Sequence, residues 1–178
     1  MRYVTIVRHC ESSPAKTGES DYERVLSNRG KDQALQLRSW AIDPFSLGKY
    51  GPTTALVSSA ARTRETFSRA FADSPFVETV NFSELIYNGK RDVSAEDLLI
   101  DLAAIDTVAT SLLLVAHNPS VHELVFSLMH ELVFSLMQEL PDVLKGEYPL
   151  GGAFVLAIPD NQQIGLVQYE LVDSFIPD

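Results

Sequence analysis

The chain has 178 residues, 46% hydrophobic and 21% charged, with 14 basic and 24 acidic side chains for a formal charge of -10. That length suits one domain (1–178) with its own core, and the composition excludes global disorder. A lone cysteine excludes a disulfide framework and a cysteine-based zinc site, and the acidic balance excludes a basic nucleic-acid footprint.

Taken in chain order, Tyr3–Val7 is a β-branched run that predicts a buried strand. The opening MRYVTIVRHC has two arginines and no cleavable-looking apolar stretch, so a cytoplasmic protein is expected. Glu11 to Glu23, with Pro14 and Gly18, predicts a loop. Ser27 can cap a helix running to about Ile42, with Ala34, Leu37 and Ala41 on one face and Pro44 as its stop. Thr54–Ser58 predicts a second strand, Ala60 to Ala72 a helix, and Phe76–Val80 a third strand. Ser94 with Asp97 forms a capping-box pattern for a helix through Ile105. SLLLVA at 111–116 is the strongest buried-strand signal in the chain. Ser120 with Glu123 repeats the capping pattern and opens a helix that could reach Leu140. Ala153–Ile158 and Ile164–Leu171 read as two strands joined by the polar turn PDNQQ.

Strands alternating with helices predict an α/β three-layer sandwich: a mostly parallel sheet, helices on both faces, and an antiparallel C-terminal edge. No apolar run reaches the ~20 residues of a membrane span, so no membrane partner is expected. HELVFSLM at 122–129 recurs unchanged at 130–137. Eight residues advance the helical face by about 80° beyond two turns, so the apolar stripe drifts. Solenoid repeats are longer and run through the chain, so this is no repeat fold; an in-frame duplication tolerated within one helix is the first reading, and a binding or dimerisation element the second. His122–Glu123 does not begin a zinc-protease motif, because Phe126 stands where HExxH needs a histidine. His122 and His130 are given no role.

In open parallel sheets ligands bind beyond the carboxyl ends of the strands. Arg8 and His9 follow the first strand, Ser58 through Arg62 the second, and His117–Asn118 the strand at 111–116. Each alone would be an ordinary surface arginine or core histidine. Together they set two arginines and two histidines on one rim of an acidic molecule. Arg62 falls in the first turn of its helix, where the dipole disfavours a cation unless an anion is bound. A phosphoryl group held by forked guanidinium donors fits that rim. Arg24, just before the first long helix, could swing over it or stay solvated.

At this point the motifs resemble a known family. VRHCES at 7–12 resembles the VRHGE signature of the histidine phosphatase superfamily, and the chain resembles its SixA-like phosphohistidine phosphatase branch. ERVLSNRGKDQA at 23–34, SSAARTRET at 58–66, LLLVAHNPSV at 112–121 and YPLGGAFVL at 148–156 match that branch's further segments in order. The resemblance implies a phosphoglycerate mutase-like fold and a metal-independent phosphatase with no cofactor. His9 would be the nucleophile and pass through a phosphohistidine intermediate. Arg8, Arg62 and His117 would bind the phosphoryl oxygens, with Arg24 and Asn118 as further phosphate-binding candidates. By position, the leaving-group acid would fall near Glu84. The implied substrate is a phosphohistidine protein, with a small phosphorylated metabolite as the alternative. A phosphoglycerate mutase and a non-catalytic phosphate-binding module stand behind both. Cys10 replaces the usual glycine after the nucleophile, and a small buried apolar role is expected for it over a redox-active one.

Overall fold

The computed structural model describes residues 1–89, 92–107, 110–136, 146–159, 162–165 and 169–178, with 130–136 described by backbone alone. The strands are β1 (Arg2–Arg8), β2 (Pro52–Ser58), β3 (Thr79–Ser83), β4 (Ser111–Ala116), β5 (Ala153–Ile158) and β6 (Glu170–Phe175). The long helices are α1 (Asn28–Ile42), α2 (Ala61–Ala70), α3 (Ala95–Ile105) and α4 (Ser120–Leu136). The six strands form one sheet in the order β3-β2-β4-β1-β5-β6. β3, β2, β4 and β1 run parallel, and β5 and β6 add the expected antiparallel edge.

The unbroken apolar run of β4 follows from its coverage on both sides. Leu112 and Leu114 pack into one core with Leu98, Leu102, Leu124 and Val125 of α3 and α4. Leu113 and Val115 point into the other core, with Leu37 and Ala41 of α1 and Phe67 and Phe71 at α2. β1 divides the same way, Val4 and Ile6 to one side and Val7 to the other. Two apolar layers thus clamp the middle of the sheet, and burial of that area is the main term holding it.

Capping matches the sequence at two helices. The Gly30 amide donates to Ser27 Oγ (3.0 Å) at α1, and Ser94 and Asp97 exchange bonds at α3. At α4 the pattern misleads. Ser120 is already in the helix, and its buried hydroxyl donates to the His117 carbonyl (2.9 Å) instead of capping. The first HELVFSLM copy supplies Leu124, Val125, Leu128 and Met129 to the core. The second copy continues the helix to Leu136, and 137–140 of the expected helix lie outside the described residues.

Two edge strands depart from expectation. The third strand is Thr79–Ser83, displaced from 76–80, because the apolar residues before it serve loop packing. The Phe76 ring sits where a Cβ on Gly48 would lie, and Val77 packs on the α1–α2 core. The last strand is Glu170–Phe175, displaced from 164–171. Ile164 and Tyr169 are buried, but their amides donate to Asp106 Oδ2 (2.6 Å) and the Leu128 carbonyl (2.9 Å), away from the ladder. The expected loop at 11–23 also holds a 3-10 turn, Asp21–Glu23, fastened by bonds from Ser20 to Glu23.

Candidate active site

Register decides what meets at the carboxyl edge. Arg8 stands opposite Ala116 across β1 and β4, and Val57 opposite Val115 across β2 and β4. The residues just beyond, His9, Ser58 and His117, therefore emerge side by side. The His9 amide donates to the Ala116 carbonyl (3.1 Å), and its carbonyl accepts from the Gly151 amide (3.2 Å). Gly151 holds φ +70, and an added Cβ would press on Cys10 Sγ at 3.1 Å. Glycine is required there on both counts. Gly30 lets α1 meet the loop after His9, since a Cβ would lie 1.9 Å from the Glu11 carbonyl oxygen.

His9 and His117 are both buried, their rings edge to face with centroids 5.1 Å apart. His9 Nδ1 lies 2.7 Å from the Cys10 carbonyl, and Arg62 Nε donates to His9 Nε2 at 3.3 Å. A carbonyl on one side and a guanidinium on the other leave a single consistent tautomer: Nδ1 carries the proton and Nε2 the lone pair. Burial, reinforced by the charges of Arg62, Arg8 and Arg24, lowers the His9 pKa to about 3. The ring is therefore neutral at physiological pH. His117 is held well below its ordinary value by burial and by His9 and Arg62. Its Nε2 lies 2.8 Å from Ser58 Oγ. Among the described residues, His117 Nδ1 and Arg8 Nε are buried without a hydrogen-bond partner. An anion with several oxygens would meet such donors.

The arginines are held by carboxylates. Arg62 donates to the Asp21 carbonyl (2.7 Å) and to Asp21 Oδ2 (3.0 Å). Asp21 Oδ2 also accepts from Tyr87 (2.8 Å), and Oδ1 from Arg24 (2.7 Å). Partial burial raises the Asp21 pKa, but bonds from Arg24 and Tyr87 and the charge of Arg62 outweigh it and bring it to about 2. Where the sequence predicts a bound anion beside Arg62, a carboxylate of the chain itself, Asp21, pairs with it. Arg8 donates to the Tyr148 carbonyl and pairs with Glu147 at 2.9 Å.

The expected residues separate into two groups. His9, Arg8, Arg62 and His117 come together. Arg24 stands at the rim, its other donors spent on Ser12 Oγ (2.7 Å) and the Ser13 carbonyl (2.9 Å). Glu84 is exposed on the turn after β3, lining a cavity of about 410 Å³ with Asp21, Tyr22 and Tyr87. Asn118 borders a different cavity of about 390 Å³ with Asn88, Ser94 and Glu123. A larger groove, about 1110 Å³, runs along α2 past Phe82 and holds neither histidine. The paired histidines thus lie away from this larger groove. Cys10 packs with Leu26 and Ala34, and burial pushes its thiol up to about 12, so it is protonated and inert. Asp21 and Tyr87 are the residues that sequence reasoning did not single out, and Ser58 was placed on the rim without a role. The only sequence signal for Asp21 was an acid three residues before Arg24.

No protein-family model matches the chain, and no curated protein matches it by sequence. Solved structures do. A candidate phosphohistidine phosphatase SixA from Nakamurella multipartitia superposes with TM-score 0.77 at 21% identity, covering 99% of this chain and 96% of that one. Its counterpart from Agrobacterium tumefaciens gives 0.74 at 25%, covering 99% and 98%. The protein histidine phosphatase SixA complexed with tungstate gives 0.72 at 18%, covering 98% and 97%. The architecture is the phosphoglycerate mutase-like α/β fold. Solved structures that share it over nearly their full length include SixA phosphohistidine phosphatases and a mycobacterial glucosyl-3-phosphoglycerate phosphatase.

Proposed function

We propose that this chain is a phosphatase of the SixA-like type, hydrolysing phosphohistidine through a covalent intermediate on His9. The observation that carries the reading is the His9 Nε2 lone pair, marked by the Arg62 Nε donor at 3.3 Å in a ring kept neutral by burial. That lone pair attacks phosphorus, and the bond to the leaving nitrogen breaks with its electron pair going to the leaving imidazole, which takes a proton. Arg8, Arg62 and His117 Nδ1 donate to the three phosphoryl oxygens as charge spreads over them. Water then attacks the phosphorus on His9, returning the electron pair to Nε2 and releasing phosphate.

The second reading is a small phosphomonoester substrate. The placement of Glu84 on the cavity beside Asp21 and Tyr87 favours it, because an alkoxide leaving group needs a proton donor there. A panel of phosphohistidine peptides, aryl phosphates and alkyl phosphates, run with wild type and Glu84→Gln, separates the two. The leading reading expects the highest kcat/KM on phosphohistidine and little effect of Glu84→Gln on it. An alkyl phosphate as best substrate, slowed about 10²–10⁴-fold by Glu84→Gln, would establish the second reading.

A further inference from the structure

We infer that Ser58 is the positioning residue that sets the tautomer of His117, turning the Nδ1 of that ring into a hydrogen-bond donor for the phosphoryl group. The inference rests on the phosphatase reading for its catalytic consequence, though not for its geometry. Ser58 ends β2 and is fully buried, and its hydroxyl lies 2.8 Å from His117 Nε2. No other side-chain bond of that hydroxyl exists among the described residues; the Ser58 carbonyl is separately engaged by the Thr63 hydroxyl at 2.7 Å.

Two proton arrangements fit the 2.8 Å contact, and they differ in what they leave unpaired. With the proton on Nε2, the ring donates to Ser58, the serine hydrogen has no acceptor, and Nδ1 is a bare lone pair in a buried, cationic setting. With the proton on Nδ1, the serine donates to Nε2 and both atoms are satisfied. Only the Nδ1–H is left, and it is the buried unpartnered atom of this ring. Buried polar groups are paired wherever they can be, so the second arrangement is preferred. It leaves a donor in a ring that packs on His9, where a phosphoryl oxygen accepts it. The first would leave a lone pair, which repels that oxygen. His9 is set by the same logic through the Cys10 carbonyl but with the opposite result, its Nε2 left unprotonated, accepting only from Arg62 Nε, with its lone pair available to attack. Two neutral histidines in contact thus become one nucleophile and one donor, each through the hydrogen bonds that fix its tautomer.

Ring nitrogen-15 shifts read the two tautomers directly, because a protonated nitrogen resonates far from a bare one. In the wild type near pH 7, His117 should carry its proton on Nδ1. Ser58→Ala should shift the ring toward a mixture of tautomers and lower kcat between about 10-fold and 10²-fold, with a smaller change in KM. A wild-type His117 protonated on Nε2 would overturn the inference, and so would a Ser58→Ala variant with unchanged tautomer and unchanged kcat. If Ser58→Ala does not fold, the wild-type spectrum decides alone. A wild type with the expected tautomer but no phosphatase activity would count against the function and leave the tautomer assignment standing.

Discussion

The guanidinium of buried Arg62 closes on half-exposed Asp21 through two bonds, 2.7 Å to the carbonyl and 3.0 Å to the carboxylate. The same guanidinium reaches His9, so an incoming phosphoryl group has to compete with Asp21 for it. Asp21→Asn removes the competing charge while keeping the side chain's size. Vanadate should then bind more tightly, by roughly tenfold, as expected for one like charge withdrawn near a partly solvated anion site. Titration of both proteins with vanadate measures this. Unchanged or weaker binding would make Asp21 a brace for Arg62 and Arg24, with no competing role.

Burial sets the pH response. His9 has a pKa of about 3 when folded and 6.5 as its ordinary value. Between these values the unfolded chain binds the additional proton, so stability rises with pH across the window. The contribution is complete above 6.5 and is lost as pH falls toward 3. Asp21 acts in the same sense lower down, between 3.8 and about 2. Urea unfolding of the wild type should therefore lose stability steadily from pH 6.5 to 4. His9→Asn should show a shallower loss, with His117 supplying the remainder. Identical slopes for the two proteins would mean that His9 titrates normally in the folded state.

Much of this arrangement was legible in the sequence because local and long-range forces agree there. SLLLVA has no polar face, and β4 has no solvent face, so the central strand and the residues after it were readable. The edge strands were not, because β3 and β6 hold only exposed and half-buried residues. The apolar residues flanking them, half-buried Phe76 and Val77 and buried Ile164 and Tyr169, pack against loops and helices and drew the expected strands toward themselves. In the site, Arg8, His9, Arg62 and His117 follow strands and could be placed by topology. Asp21 could not. It lies in a polar loop, and only tertiary packing of its 3-10 turn brings it to Arg62. Ser58 read as the last residue of a strand, since nothing in sequence pairs it with a histidine 59 residues on.

The duplicated octapeptide gives a prediction about the helix. The first copy holds the core contacts Leu124, Val125, Leu128 and Met129, and its Leu128 carbonyl accepts from the Tyr169 amide at 2.9 Å. Deletion of 130–137 removes none of these and none of the four site residues. The shortened chain should fold, keep its activity, and melt at an equal or higher temperature, because the apolar stripe no longer drifts. A lower Tm, lost activity or a lost soluble oligomer would assign the second copy a working role.

The most direct test of the account is the phosphoenzyme. Wild type mixed with labelled phosphohistidine substrate and quenched within milliseconds to seconds should carry a protein-bound label that is stable to base and labile to acid, as a phosphoramidate is. Peptide mapping should place it on His9, and His9→Ala should carry none and lose turnover. A His9→Ala protein that still turns over substrate, or a wild-type label mapping to another residue, would contradict the central claim.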